Sequence, residues 1–445
     1  MFKKILVANR GEIAVRVIRA CRELGVKTAA VYSEADKSAL HAHIADEAVC
    51  VGPPASKNSY LNTQALISAC EITGAEAVHP GYGFLSESPA FVRLCQKCRI
   101  KWIGPSPEAM EAMGDKANAK KTVMEAGVPV IPGSDGVVKE LAEAKKIARE
   151  IGYPVMVKAA AGGGGRGIRA VSSESGLEKA IAEAGQDAAA FFGNGDVYIE
   201  KLITNPKHVE IQLLADEHGN VVHLGERDCS CQRRNQKLLE ESPCFVVSPQ
   251  LREKMGLAAV KAAKACGYQN AGTIEFLLDE NGDFYFMEMN ARIQVEHPVT
   301  ESITGIDLVK SQIKIAAGEK LPFTQEDIGF SGHVIECRVN AENPAADFRP
   351  APGRIESLHL PGGFGVRIDS AVYQGYIIPP FYDSMIAKVI VRGDDRTEAI
   401  RKMRVALSEF LIEGVVTNID FQLGILRDGE FIGGKYDIGF LERKK

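Results

Sequence analysis

The sequence predicts an α/β N-terminal doubly wound domain, an α+β middle region carrying a hairpin lid, and a mixed α/β C-terminal domain. Three observations carry this prediction. Short apolar runs alternate with helical periods through the first hundred residues, the pattern of a parallel sheet covered on both faces. After Pro154 the texture changes to strand pairs joined by turns, with helices between them. At 445 residues, the chain has the length of about three compact units. Composition sets further limits. A chain that is 45% hydrophobic and 25% charged is not wholesale disordered. Lys plus Arg number 53 against 58 Asp plus Glu, a net charge of −5 that is too balanced for binding nucleic acid by phosphate neutralisation. No apolar run approaches the ~20 residues of a membrane span. The 10 cysteines are scattered beside apolar residues, as reduced cytoplasmic thiols are. Neither the lone Cys95-x-x-Cys98 pair nor Cys229-Ser-Cys231 has the spacing of a usual zinc site.

In chain order, residues 4–9 read as a buried strand, 12–24 as a helix and 28–33 as a second strand. A helix at 63–73, a strand at 77–80, a helix at 90–97 and a strand at 102–104 continue the alternation. The first turn, Asn9-Arg10-Gly11-Glu12, is not GxGxxG, so a dinucleotide is not indicated. Asp115 then caps a helix running to about residue 126, stopped by Gly127 and Pro129, and another helix covers about 139–151. Further strands follow from about residue 333, closed by a helix around 398–409.

The run Gly162-Gly163-Gly164-Gly165-Arg166-Gly167 formally satisfies GxGxxG, but its context does not. Residues 154–161 form a strand before it, and 168–171 continue as a strand, whereas a dinucleotide fingerprint must open a helix. Strand, glycine turn and returning strand make a hairpin lid. Backbone amides at its tip can close over phosphate oxygens. Lys158 precedes the loop within reach of a phosphate. Lys116 sits in the first turn of its helix, where its cation opposes the macrodipole and a bound anion would offset it.

Residues 272–290 make the strongest local argument. Two strand-like runs flank Asn281-Gly282, a hairpin signal. A two-residue loop places Glu275 directly opposite Glu288, and a four-residue loop places them diagonally. In both, Glu275, Glu288 and Asn290 share a face, because side chains alternate with period two. Two carboxylates ~5 Å apart repel by about 3 kcal/mol at an effective dielectric near 20. A hard divalent cation removes that penalty, and two carboxylates with an amide oxygen suit Mg²⁺ on nucleotide phosphates. The alternation continues through Arg292, Gln294 and Glu296, a stripe fit for a small anion, with Arg292 as a planar fork and Glu296 as a base. His297-Pro298 then turns the chain away. The segment from Asp228 to Lys237 reads more readily as a charged surface turn. Glu336, Arg338 and Asn340 alternate on one strand face, where Arg338 is either ion-paired with Glu336 or catalytic.

These segments together resemble the biotin carboxylase family of the ATP-grasp superfamily. The resemblance covers essentially the whole chain: residues 4–13, His79-Pro-Gly-Tyr-Gly-Phe-Leu-Ser-Glu87, Met113-Gly-Asp-Lys116, the glycine loop, Glu226-Arg-Asp-Cys229 with Gln232-Arg-Arg, Glu288 through Glu301, and Pro379-Pro-Phe-Tyr-Asp-Ser-Met385. It implies an N-terminal domain at 1–113, an ATP-grasp domain at 114–330 with a lid at about 130–203, and a C-terminal domain at 331–445. ATP would lie under the lid, with Lys116, Lys158 and the backbone of Gly164 and Gly165 on its phosphates. Glu200, Lys201, Leu202 and Ile203 would form the adenine hinge, with His208 and Gln232 nearby. Glu275, Glu288 and Asn290 would bind two Mg²⁺ or Mn²⁺ ions. Lys237, Arg292, Gln294, the Val295 amide and Arg338 would hold bicarbonate, and Glu296 would deprotonate it for attack on the γ-phosphate. Carboxyphosphate would release CO₂, phosphate would take the N1′ proton of biotin, Arg338 would stabilise the enolate, and Tyr82 would flank biotin. Asn235 stands where the family often has a nucleotide-contacting histidine. Nothing resembles the biotin-acceptor Met-Lys-Met motif, so the resemblance implies a separate biotin carboxyl carrier protein and carboxyltransferase subunits. It also implies a homodimer, with no nucleic acid or membrane partner.

Overall fold

The computed structural model describes residues 1–159, 168–192 and 195–444, with the side chains of 116, 117, 191 and 192 outside that description. The glycine loop with Gly164 and Gly165, and the Lys116 side chain, therefore lie outside the described residues.

The N-terminal region is a five-stranded sheet in the order Glu47–Cys50, Lys27–Tyr32, Lys4–Val7, Ala77–His79 and Lys101–Trp102. All its pairs are parallel. The helix Thr63–Thr73 falls where the apolar period places it, capped by Asn62, whose Oδ1 accepts from the Ala65 amide. The strand Glu47–Cys50 and the short helix Leu40–Ile44 escape the sequence reading. Chain order reverses beside the central strand Lys4–Val7. Such a switch point opens a crevice at the strand carboxyl ends. There Asn9 Nδ2 donates to the carbonyls of Pro80 (2.6 Å) and Tyr82 (2.7 Å), fixing the loop that carries Tyr82. Gly81, at φ +62°, sits so close to Ile13 and Asn9 that a Cβ would lie 2.9 Å from one and 3.0 Å from the other.

The lid segment is a three-stranded antiparallel sheet, with Val155–Ala159 between Ile168–Val171 and Val197–Lys201. The helices Leu141–Ile151 and Leu177–Phe192 pack on it and enclose a core of its own, including Val155, Val157, Ala144, Ala148, Leu177 and Ile199.

The rest is organised by one eight-stranded sheet, entirely antiparallel. Its order is Phe284–Asn290, Asn270–Leu278, Lys207–Ala215, Val221–Arg233, Gln236–Ser242, His333–Asn340, Met385–Gly393 and Val366–Ser370. It joins the middle and C-terminal regions through a continuous ladder. The helix Arg396–Glu409 does not close the chain, as its sequence suggests; the short helices Ile419–Ile425 and Gly429–Ile432 follow it. Among the described residues no helix is long and apolar enough to cross a membrane.

Candidate active site

The acidic hairpin reaches the expected face by an unexpected route. Leu278 pairs with Phe284, and the Asp279 amide donates to the Asp283 carbonyl (2.9 Å), so the connection spans three residues rather than two. Gly282 turns it at φ +86°. An odd loop alone would place Met287 opposite Glu275. An irregularity in the ladder corrects this: Phe276 pairs with Phe286 but Glu275 with Glu288, leaving Met287 as the extra residue of a bulge. Asn290 lies opposite Thr273, on the same face as Glu275 and Glu288. The Asn290 Nδ2 is buried without a partner, and its Oδ1 accepts from Arg292 (2.8 Å). Two carboxylates in register with an amide oxygen beside them fit a hard cation.

Strand character stops at Asn290. Residues 291–296 are a turn, not the strand continuation their alternation suggests, and Glu296 takes the N-cap position of the helix His297–Thr304. Ala291 and Ile293 still point into the core while the polar side chains converge on one side. Arg292 donates to Glu87 (3.0 Å), Gln294 Oε1 (3.0 Å) and Asn290, and Gln294 Nε2 donates to Glu275 (3.1 Å). The Val295 carbonyl accepts from Lys388 Nζ at 2.9 Å.

Glu296 is the centre of the cluster. Its side chain is fully buried, with Lys237 Nζ 2.6 Å from one oxygen and an Arg338 nitrogen 2.9 Å from the other. Burial alone would raise this carboxyl, but Lys237, Arg338 and Arg227 hold it well below the usual carboxylate range. Lys237 also donates to Glu210 (2.6 Å) and Glu275 (3.1 Å). Burial opposes its charge, yet Glu210, Glu296 and Glu275 hold the ammonium well above the usual lysine range. Glu275 is held low in the same way, against burial, by Lys237 and by His208, whose Nε2 lies 3.1 Å away. In this structure, cationic side chains relieve the acid repulsion that the sequence suggests a metal would relieve.

One open alternative is closed and one expectation is corrected. Arg338 is not paired with Glu336; it donates to Glu240 (2.7 Å) and Glu296. The segment 228–237 is not a surface turn. Residues 228–233 are buried strand, Gln232 stands in register with Lys237, and the exposed tip is Arg234, Asn235 and Gln236, the first two at positive φ. Lys158 and Glu200 form a separate group on the lid sheet, where Glu200 accepts from Lys158 and Lys120, each at 2.7 Å. The Lys201 ammonium points back to the Gly152 (2.9 Å) and Tyr153 (3.2 Å) carbonyls, and Leu202 and Ile203 are half-buried. The Tyr82 hydroxyl donates to Glu12.

Sequence reasoning missed three residues. Glu210, fully buried, links Lys237 to Arg227, which donates to it at 2.6 Å. Its signal was the alternation His208-Val-Glu210-Ile-Gln212 inside an otherwise apolar strand. Glu87 fixes Arg292, and Glu240 fixes Arg338, through contacts no local pattern encodes.

A buried carboxylate held between a lysine and an arginine, beside a facing acid pair, is the layout of an enzyme acting on a small anion. Family models match the biotin carboxylase N-terminal domain over residues 1–110, the ATP-binding domain of the carbamoyl-phosphate synthase L chain over 115–324, and the biotin carboxylase C-terminal domain over 336–443. The chain is 58% identical over 443 residues to biotin carboxylase 1 of Bacillus subtilis, covering 99% of this chain and 98% of that protein. It is also 58% identical over 442 residues to a pyruvate carboxylase subunit of Methanothermobacter thermautotrophicus, covering 99% of this chain and 90% of that one. A solved structure, the biotin carboxylase domain dimer of Hydrogenobacter thermophilus 2-oxoglutarate carboxylase with MgADP, ADP and bicarbonate, matches with TM-score 0.90 at 53% identity, covering 100% of this chain and 98% of that one. The chain belongs to the biotin carboxylase family and is an ATP-dependent ligase.

Proposed function

We propose that this chain uses ATP and bicarbonate to carboxylate biotin on a separate carrier protein, as the biotin carboxylase component of a cytoplasmic acetyl-CoA carboxylase. The observation that carries the reading is Glu296, buried and ionised between Lys237 and Arg338. An anion entering between those cations takes a share of their charge. Glu296, relieved of part of that grip, becomes more basic and can accept the bicarbonate proton. Arg292 and Gln294 orient the anion beside it. The deprotonated anion attacks the γ-phosphate and displaces ADP, the carboxyphosphate formed breaks down to CO₂ and phosphate, and phosphate takes the biotin N1′ proton so that N1′ of the enolate bonds to CO₂. Arg338 then faces the enolate, and Tyr82 flanks biotin.

Glu275, Glu288 and Asn290 would hold two Mg²⁺ or Mn²⁺ ions, which supply charge neutralisation for the triphosphate. Lys116, Lys158, Gly164 and Gly165 would contact the phosphates. Glu200, Lys201, Leu202, Ile203, His208, Gln232 and Asn235 would contact the rest of the nucleotide. Asn235 suits its position at φ +62°, a conformation asparagine tolerates well. The domains would divide near residues 113 and 330, with the lid at about 130–203; the separate lid core supports this division. Partners would be a biotin carboxyl carrier protein, carboxyltransferase subunits and a second copy of the chain; the related Hydrogenobacter structure is a dimer. The name of the Methanothermobacter relative supports pyruvate as a second acceptor, and a propionyl-CoA system would use the same subunit.

The test is bicarbonate-dependent ATP hydrolysis with and without free biotin. Stimulation by biotin is the expected result, and its absence would defeat the reading. Copurification of the carrier and its transferase, followed by assay with acetyl-CoA, propionyl-CoA and pyruvate, decides the acceptor.

A further inference from the structure

Glu240 and Glu336 face each other on adjacent strands, Gln236–Ser242 and His333–Asn340, and both are fully buried. Like charges directly opposed across a sheet repel, and burial intensifies the repulsion. The two acids are served unequally. One oxygen of Glu240 accepts from Arg338 Nε (2.7 Å) and lies 2.5 Å from an Arg338 terminal nitrogen, while its other oxygen has no hydrogen-bond partner among the described residues. Neither oxygen of Glu336 has a hydrogen-bond partner. An unpaired ionised carboxylate costs far more to bury than a neutral one. Arg338 stands on the same strand face as Glu336, opposite Lys388, and is stretched between Glu240 on one side and Glu296 on the other.

We propose that Glu240 is a positioning residue that anchors the Arg338 guanidinium at the edge of the Glu296 pocket, and that Glu336 is kept as the neutral acid behind it. The proposal rests on the reading that Arg338 faces the anion and biotin. Without Glu240, the guanidinium would collapse onto Glu296 and neutralise the base. With Glu336 ionised as well, a second buried anion would draw Arg338 away from the pocket.

The surroundings agree. The charged groups acting on Glu240 are Arg338, Lys237, Glu296 and Glu336. Three buried thiols, Cys229, Cys231 and Cys337, also feel it and are themselves pushed up by burial, hence neutral. Burial, with Glu296 adding to it, raises the Glu240 carboxyl despite Arg338 and Lys237. Glu336 is raised well above the usual range by burial, with Glu240 and Glu296 adding to it and Lys388 and Arg338 opposing. Of the two, Glu240 has the cation in hand and ionises first. A fall in pH therefore protonates Glu240 and loosens the anchor while Glu336 stays neutral throughout.

The test compares wild type, Glu240→Gln and Glu336→Gln for kcat, KM for ATP, and the pH profile of biotin carboxylation. Glu240→Gln is expected to lower kcat about 10- to 100-fold with the ATP KM nearly unchanged, and to lose the acid limb, since the titrating group is gone. Glu336→Gln, an isostere of the neutral acid, is expected to keep the wild-type kcat and profile. An unaltered acid limb in Glu240→Gln overturns the proposal, as does a loss in Glu336→Gln equal to that in Glu240→Gln. Should Glu240→Gln not fold, Glu240→Asp, which retracts the carboxylate by one methylene but still titrates, is read by kcat alone: a loss with the ATP KM unchanged is expected, and a wild-type kcat overturns the proposal. Biotin-stimulated ATP hydrolysis by the wild type is scored separately, so failure of the catalytic reading is distinguishable from failure of the anchor.

Discussion

Lys237 touches three carboxylates, and Glu296 is touched by two cations. That mutual saturation explains how so many charges stay buried: each is paired, and truncating one strands its partner. Arg338→Ala is expected to leave nucleotide affinity within about threefold while lowering biotin carboxylation about 10²- to 10³-fold. Nucleotide titration beside a carboxybiotin assay checks it, and equal loss of both would make the residue structural. Glu288→Gln is expected to weaken Mg²⁺-dependent turnover about 10- to 100-fold; an unchanged metal titration curve would remove the cage assignment. At this scale the sequence was informative wherever alternation alone sorts side chains, as for Glu275, Glu288 and Asn290. It was silent on Glu240, whose partner lies 98 residues away, and it left open whether Arg338 pairs with Glu336, because period two reports a shared face and not a contact.

A strand sorts neighbours to opposite sides, and Glu240 and Glu241 divide accordingly. Glu240 looks into the pocket. Glu241 looks the other way, accepting from His333 (2.6 Å), Arg396 (2.7 Å) and Tyr436 (2.5 Å). Burial opposes ionisation of Glu241, but His333 and Arg396 outweigh it and hold its carboxyl down to about 2. A depressed carboxyl contributes stability that is present above its unfolded value near 4.5 and is lost as pH falls toward 2. Glu336, raised, has the opposite sign: its contribution is present in acid and lost as pH climbs through the raised value. Denaturant melts across pH are therefore expected to show Glu241→Gln less stable by about 3–5 kcal/mol near neutrality, with the gap narrowing in acid. The acidic hairpin makes the same point about turns. Asn281-Gly282 announced it, but only the structure reveals the bulge at Met287 that restores parity after an odd loop. Gly282→Val, forced to φ +86°, is expected to lose about 1–2 kcal/mol of stability.

Across the whole molecule, four of the five strands of the parallel N-terminal sheet were legible because each is a short apolar run between helical periods; only Glu47–Cys50 escaped. The eight-stranded sheet was not, because antiparallel partners such as Lys207–Ala215 and Asn270–Leu278 are joined by register over long separations that no local pattern records. The lid keeps its own core, apart from the clusters under the large sheet. Nucleotide binding is expected to slow amide exchange in the strands Val155–Ala159 and Val197–Lys201, while the central strands of the large sheet stay protected with or without it. Equal response in both would mean the lid does not open on its own.

That ladder crosses from the middle of the chain into its final third, which matters while the protein is being made. A nascent chain exposes Lys237, Glu275 and Glu296 before His333–Asn340 has left the ribosome, so Glu296 has only one of the two cations that touch it in the folded chain. The edge that the late strands will cover is still bare. Glu296 thus gains its second cation only when His333–Asn340 docks along Gln236–Ser242.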